Sequence, residues 1–133
     1  MKGRYYIFML HEFPVCAPYY FTVGIAAQPL RRLTQLQAGN PRPLRTWNHE
    51  RRPTEQFGLI LPSKALAIEL EQRVLESFGE MGVRLRQDYN YERDTARART
   101  WFEGVKPQEV WLHMLKIYTK FVREKGISDQ VGL

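Results

Sequence analysis

Two aromatic, apolar runs near the N-terminus, with a short proline-containing loop between them, constrain the fold most strongly. Residues Arg4–Leu10 read RYYIFML, and residues Tyr19–Ile25 read YYFTVGI. Runs of aromatic and aliphatic residues of this length are typical of buried β-strands. The intervening residues Glu12–Pro18 include two prolines, which disrupt regular structure. The pattern predicts two strands that lie close enough along the chain to form a hairpin.

Helical signals follow the hairpin. Pro29 is well placed as the first residue of a helix, and Ser63 can cap the start of a second one. We expect helices over residues 29–37, 63–79 and 107–124, with short extended segments over residues 44–49 and 57–61. This order predicts a single domain over residues 1–133, with an α+β fold in which helices pack against a small sheet.

The chain is strongly basic. Its formal net charge is +6, and arginines outnumber lysines by 14 to 6. The arginines cluster, with six between Arg31 and Arg52 and five between Arg84 and Arg99. Because a guanidinium group binds phosphate through two parallel hydrogen bonds, this bias favours a polyanionic partner such as nucleic acid. A basic surface without any partner is the alternative interpretation of the charge alone.

Several classes of protein are excluded by the residues present. Cys16 is the lone cysteine, so we expect neither an intramolecular disulfide nor a thiolate zinc cluster. The chain has no Gly-rich phosphate loop, HExxH motif or Ser-His-Asp order. His113 shares a helix face with Lys116 and Lys120 and is expected to be solvated. No apolar run is long enough to span a bilayer and no signal-peptide cleavage site is evident, so we expect a cytoplasmic protein without a membrane partner.

One acidic residue lies on the apolar side of the second predicted helix. The apolar residues of this helix sweep an arc about 200° wide. They are Leu66, Ala67, Ile68, Leu70, Val74, Leu75 and Phe78. Glu71 falls inside this arc, and an ionised carboxylate among core residues is costly unless it is paired or holds a metal. Glu71 is therefore a candidate metal ligand, a partner in a partly buried salt bridge, or a residue at an edge where the arc fades.

The first predicted helix carries two adjacent arginines. Its inner stripe is formed by Leu30, Leu33 and Leu36. Arg31 points away from this stripe, whereas Arg32 borders it. The guanidinium group of Arg32 could therefore reach a phosphate across the sheet face, or it could extend to solvent.

These motifs, in this order, resemble those of the GIY-YIG nuclease superfamily. YYIFML resembles the first motif of the family's hairpin, and TVGIA resembles the second. QPLRRLTQLQAGNPRPL is similar to the arginine helix and turn of a phage and bacterial branch, ELEQRVLESF to its glutamate helix, and TWF to the Trp-Phe pair that ends its core. The resemblance covers roughly residues 4 to 105. It implies a small three-stranded antiparallel sheet flanked by helices.

The resemblance also implies an activity, the metal-dependent cleavage of nucleic acid, with DNA as the first expectation and Mg²⁺ or Mn²⁺ as the cofactor. Carried over by position, Tyr6 would act on the attacking water, Arg32 on the phosphate and Glu71 on the metal. Helical geometry singled out the same arginine and glutamate. We expect the three side chains to line one concave face of the sheet.

The segment from residue 84 to residue 99 is an insertion relative to that branch, and we expect it to form a loop or a weak helix. Its arginines and tyrosines suit phosphate contacts and base stacking. The predicted nucleic-acid-binding residues are Arg31, Arg84, Arg86, Tyr89, Tyr91, Arg97 and Arg99.

Three positions depart from the family pattern and support other functions. Thr22 stands where the second motif has tyrosine or lysine, Leu75 where a histidine is common, and Thr100 where a glutamate precedes Trp-Phe. A protein that binds nucleic acid without cleaving it is the first alternative. The second is a phage or bacterial interaction module that binds an acidic protein partner through the basic insertion. Recognition of a specific nucleic-acid sequence would require the insertion over residues 84–99, a protein partner or a homodimer.

Overall fold

The structure, a computed structural model, describes residues 4–38, 43–46, 58–85 and 101–127. The strands are β1 (Tyr5–Glu12), β2 (Phe21–Ala26), β3 (Leu44–Thr46), β4 (Leu59–Leu61), β5 (Arg84–Leu85) and β6 (Phe102–Glu103). The helices are α1 (Pro29–Ala38), α2 (Lys64–Met81) and α3 (Pro107–Lys125). The predicted α+β class and the predicted positions of the helices are confirmed, to within about two residues at each helix end.

β1 is the central strand of an antiparallel sheet. One edge of β1 pairs with β2, in a register that sets Tyr6 opposite Ala26. The other edge pairs with β4 near the start of β1 and with β3 near its end. β6 extends the sheet beyond β2, and β5 pairs with β6. The described sheet thus has six strands rather than the expected three. β3 and β4 lie within the extended segments expected over residues 44–49 and 57–61. β5 and β6 were not expected, because strands of two residues are too short to show an alternating pattern in the sequence.

The two faces of the sheet have separate hydrophobic cores. Successive side chains of a strand point to opposite faces. Ile7 and Met9 pack in the larger core with the buried sides of α2 and α3. Phe8 and Leu10 pack in a smaller core with Leu36 of α1. The sheet therefore separates α1 on one face from α2 and α3 on the other.

Local signals determine where α2 begins and ends. The Ser63 side chain accepts a hydrogen bond of 3.2 Å from the backbone N–H of Leu66, as predicted for an N-cap. The helix ends at Gly82, whose φ of 90° is a left-handed conformation that favours glycine. Gly79, the predicted end, remains inside the helix.

α3 is joined to the rest of the protein by both apolar and polar contacts. Tyr118 is buried and its hydroxyl donates a hydrogen bond of 2.8 Å to the Ile60 carbonyl oxygen in β4. In the last turn of the helix, Glu124 pairs with Arg73 of α2 at 2.9 Å. These contacts fix α3 against both α2 and the sheet edge.

Candidate functional site

Tyr6 is half-buried on the central strand. It lies opposite Ala26 in β2 and Ile60 in β4. Strand alternation sets its side chain on the same face as Phe8 and Leu10, which is the face covered by α1. Backbone pairing with a strand on each side therefore fixes the main chain of Tyr6.

The two arginines of α1 differ in exposure. Arg31 is exposed and Arg32 is half-buried, which agrees with their predicted positions relative to the inner stripe. Arg32 Nη1 donates a hydrogen bond of 3.0 Å to Gln35 Oε1, one turn further along the helix. Since a guanidinium group has five N–H donors, this contact orients the group and occupies one of them. Tyr6 and Arg32 thus belong to the same side of the sheet.

Glu71 is half-buried at the margin of the packed side of α2. The buried strip of this helix contains Ala67, Leu70, Val74 and Phe78. Ile68 and Leu75, which were expected to belong to the apolar arc, are 39% and 37% exposed. The arc was predicted too wide, because α2 inserts only its central strip into the sheet and packs its other flank against α3. Glu71 therefore lies where the apolar face ends, next to solvent-accessible Ile68 and Leu75.

The helices that carry Arg32 and Glu71 pack on opposite faces of the sheet. Leu36 of α1 is buried with Phe8 and Leu10, whereas Leu70 of α2 is buried with Ile7 and Met9. The packing brings Tyr6 and Arg32 to one face and leaves Glu71 on a helix of the other. The expected common concave face is therefore not formed by these helices, because sequence periodicity describes the inner side of each helix but not the sheet face it covers.

Thr22 has no access to a substrate. It pairs with Leu10 across the hairpin, so it lies on the same face as Tyr6. Its exposure is 0%, and the small side chain is enclosed there in the core between β2 and α1. Thr22, which was expected to depart from the pattern of the GIY-YIG family, is therefore a core residue.

Arg84, a predicted phosphate contact, forms an ion pair within the protein. Its Nε lies 3.2 Å from Oε2 of Glu103, and the two side chains are 59% and 9% exposed. Gly104 has a φ of 107°, and a side chain at that position would meet Arg84 Nη1 at 2.7 Å. Glycine at position 104 thus leaves room for the Arg84 side chain, and the ion pair joins β5 to β6.

Arg86, Tyr89, Tyr91, Arg97 and Arg99 lie outside the described residues. The same is true of the Gly-Asn-Pro turn over residues 39–41.

Sequence reasoning missed two buried polar side chains at the end of β1. His11 and Glu12 are 4% and 7% exposed, although His11 was expected to end the first strand and Glu12 to begin the loop after it. The strand continues through them because β3 pairs with residues 10–12. His11 Nδ1 lies 3.1 Å from the Glu12 carbonyl oxygen. Leu44, which pairs with Glu12, begins a segment that was expected to be extended. The sequence does not show which residue of β1 lies opposite Leu44, so the burial of Glu12 was not predicted.

His113 was expected to be solvated, and this expectation is wrong. The ring is half-buried between α3 and α2, with Nε2 at 2.6 Å from Ser77 Oγ. Burial first, and then the positive charge of Lys116, lower the pKa of His113 below its ordinary value of 6.5. The neighbouring Lys116 and Lys120 are exposed as predicted.

Among the described residues there is no group of three or more histidine, cysteine or acidic side chains that could hold a metal ion. None of the helices in the described part of the chain is long and apolar enough to cross a membrane.

Comparison of the chain with known protein families, with characterised proteins and with solved structures finds no match.

Proposed function

We propose that this protein is an endonuclease that binds nucleic acid and hydrolyses phosphodiester bonds with the help of one divalent metal ion. The observation that carries the proposal is the order of the elements, in which an N-terminal hairpin precedes an arginine helix and, later, a glutamate helix. The hairpin holds Tyr6, and its face is shared by Arg32. The net charge of +6 supports a polyanionic substrate.

The chemistry assigned to Tyr6 and Arg32 follows from their side chains. The Tyr6 hydroxyl would orient the attacking water by hydrogen bonding, and the proton of that water would pass to bulk solvent. The Arg32 guanidinium, held by Gln35, would neutralise the charge that develops on the phosphate. A cation that is already positioned stabilises this charge without reorganising during the reaction.

Glu71 would hold the metal ion. A half-exposed carboxylate suits Mg²⁺, which is usually bound by one or two carboxylates and keeps several waters. A magnesium site with a single carboxylate has fewer protein ligands than the groups of three or more histidine, cysteine or acidic side chains that are absent from the described residues. A divalent ion held by Glu71 would supply Lewis-acid chemistry, and it would have to reach a phosphate at Arg32 from the helix of the opposite sheet face.

Binding without turnover is the second candidate function. Two observations favour it: Thr22 is fully buried where the family pattern has a site residue, and Glu71 lies on a helix packed on the face opposite Arg32. As a result, neither the Thr22 hydroxyl nor the Glu71 carboxylate would reach a substrate on the sheet face that carries Tyr6. A protein of this kind would retain the basic charge and the affinity for nucleic acid.

Nicking of supercoiled plasmid DNA, measured with Mg²⁺, Mn²⁺ or EDTA, distinguishes the two functions. The Glu71→Gln variant keeps the shape of the side chain and removes its charge, so it should abolish nicking if Glu71 holds the ion. Glu76→Gln is the matched control, since Glu76 is an exposed residue of the same helix. It should nick DNA at the rate of the unmodified protein.

DNA affinity measured on the same proteins makes every result decisive. Salt-dependent binding without metal-dependent nicking would refute the nuclease and support the second candidate. Equal nicking by Glu71→Gln and Glu76→Gln would remove Glu71 from the mechanism. No binding to DNA or RNA would contradict both candidate functions.

A further inference from the structure

The outward side of α3 combines exposed apolar and basic residues. Six side chains line a shallow groove there: Leu112, Leu115, Lys116, Thr119, Lys120 and Arg123. Leu112 is 50% exposed although α3 buries Val110 and Met114 almost completely. Leu112 and the half-buried Leu115 lie side by side in this groove, so the outward side of α3 presents an apolar surface next to basic residues.

Helical spacing arranges these residues as a single surface, here called the α3 outer face. Lys116, Lys120 and Arg123 recur at intervals of four and three residues, so they align along the helix. Leu112, Leu115 and Thr119 lie beside them at the same spacing. Every ionisable residue that lines the groove is therefore positive, and the apolar residues lie next to the row of charges.

The basic residues of this face differ from those nearby in their contacts. Arg73 and Lys125 are both engaged in ion pairs with acidic residues of α2 and α3. Lys116, Lys120 and Arg123 form no ion pair with the described residues. The charge of Lys120 contributes to lowering the pKa of Glu124, so this acidic residue partly offsets the row. The residues that line the groove remain positive as a set, which makes this face complementary to negative charge.

We propose that the α3 outer face binds an acidic amphipathic helix of a partner protein. Leucines on the partner helix would cover Leu112 and Leu115, and its acidic residues would pair with the row of three basic side chains. This is a binding surface separate from Tyr6, Arg32 and Glu71. In this type of binding, an amphipathic helix places apolar side chains that are spaced three and four residues apart in a groove of its partner.

Other occupants fit this face less well. A second copy of the chain would bring an identical positive row against it, which is repulsive. A nucleic-acid backbone would use the lysines but would leave Leu112 exposed beside phosphates. An anionic membrane requires a broader apolar side than two leucines and a threonine.

The test uses the full chain and a fluorescent synthetic peptide that forms an acidic amphipathic helix, with leucines spaced three and four apart and glutamates elsewhere. A scrambled peptide of the same composition is the first control. We expect the helical peptide to bind, and Leu112→Ser to weaken binding by about tenfold, as for a central interface residue. The double variant Lys116→Glu/Lys120→Glu should weaken it by at least as much. Lys64→Glu, at an exposed position of α2, should leave it unchanged.

Each of the other results would overturn the proposal. These are no binding of the helical peptide, equal binding of the scrambled peptide, or full affinity in Leu112→Ser. Tighter binding to a DNA duplex or to anionic phosphatidylserine vesicles, lost in the double variant but not in Leu112→Ser, would assign the face to that surface instead. Leu112→Ala serves as the milder change if Leu112→Ser lowers the melting temperature.

Discussion

Nε2 of His113 lies 2.6 Å from Oγ of Ser77, and this contact joins α3 to α2. The Ser77 hydroxyl donates its proton to the Val74 carbonyl oxygen at 2.7 Å. Its oxygen therefore accepts from the imidazole, and Nε2 carries the proton in the neutral ring. Because burial and then the charge of Lys116 lower the pKa of His113, the interface is adapted to a neutral histidine.

The melting temperature should consequently fall as the pH drops below about 6.5. The pKa of His113 is lower in the folded protein than in the unfolded chain. The unfolded chain then takes up the proton first, so the stabilising contribution is complete above the unfolded pKa and is lost as pH falls through the folded one. His113→Gln keeps a donor and removes the titration, so it should flatten this part of the pH profile.

His11 is a second buried histidine, so the informative quantity is the difference between the unmodified protein and the His113→Gln variant. The two curves should converge at low pH, where the protonated histidine has lost its advantage. Parallel curves from pH 5 to 8 would show that His113 is not responsible.

Two glycines should respond to alanine in opposite directions. A side chain at Gly58 would clash with the Ile7 carbonyl oxygen of β1, so Gly58→Ala should lower the free energy of unfolding by about 1–3 kcal/mol. Gly79 lies inside α2 with nothing within 4 Å of the added carbon. Gly79→Ala should raise stability by about 0.5–1 kcal/mol, because alanine loses less backbone entropy in a helix. Denaturant unfolding of both variants checks the signs, and a neutral Gly58→Ala would contradict the close approach of β4 to β1.

A surface charge network between α2 and α3 should be sensitive to acid and salt. Hydrogen bonding to Lys125 lowers the pKa of Glu69, and hydrogen bonding to Arg73 lowers the pKa of Glu124. Both carboxylates therefore stabilise the fold above their ordinary pKa of 4.5, and this contribution is lost as pH falls through their lowered values. Glu124→Gln should lower the melting temperature slightly at pH 7 and low salt, and the difference should shrink in 1 M NaCl, where exposed charges are screened. A difference that persists at high salt would assign the effect to packing.

Arg84 should contribute to stability more than to DNA binding. In Arg84→Gln the nearly buried Glu103 carboxylate loses its cation, at a cost of about 1 kcal/mol after allowance for the exposed arginine. Adding Glu103→Gln should recover most of this loss, since it removes the stranded charge. A melting series of the two single variants and the double variant measures the coupling. A tenfold loss of DNA affinity in Arg84→Gln, with unchanged melting temperature, would restore the phosphate-contact role.

Local chemistry made much of the fold predictable. The hairpin followed from two apolar runs around a proline loop, and the start of α2 followed from Ser63, whose hydroxyl caps the helix as expected. The ends of the helices were placed to within a turn because glycine and proline act on the backbone at their own positions. The short strands β5 and β6 gave no such signal, since two residues cannot show a period.

The candidate site was predictable residue by residue but not as an arrangement. The sequence by itself determined that Arg32 borders an apolar stripe and that Glu71 borders another, because helical periodicity depends only on spacing along the chain. Only the tertiary structure decided that α1 and α2 cover opposite faces of the sheet, that Thr22 is enclosed beneath one of them, and that His113 bonds to Ser77. Those outcomes depend on strand register and on which surfaces meet, and both are set by contacts between residues far apart in the sequence.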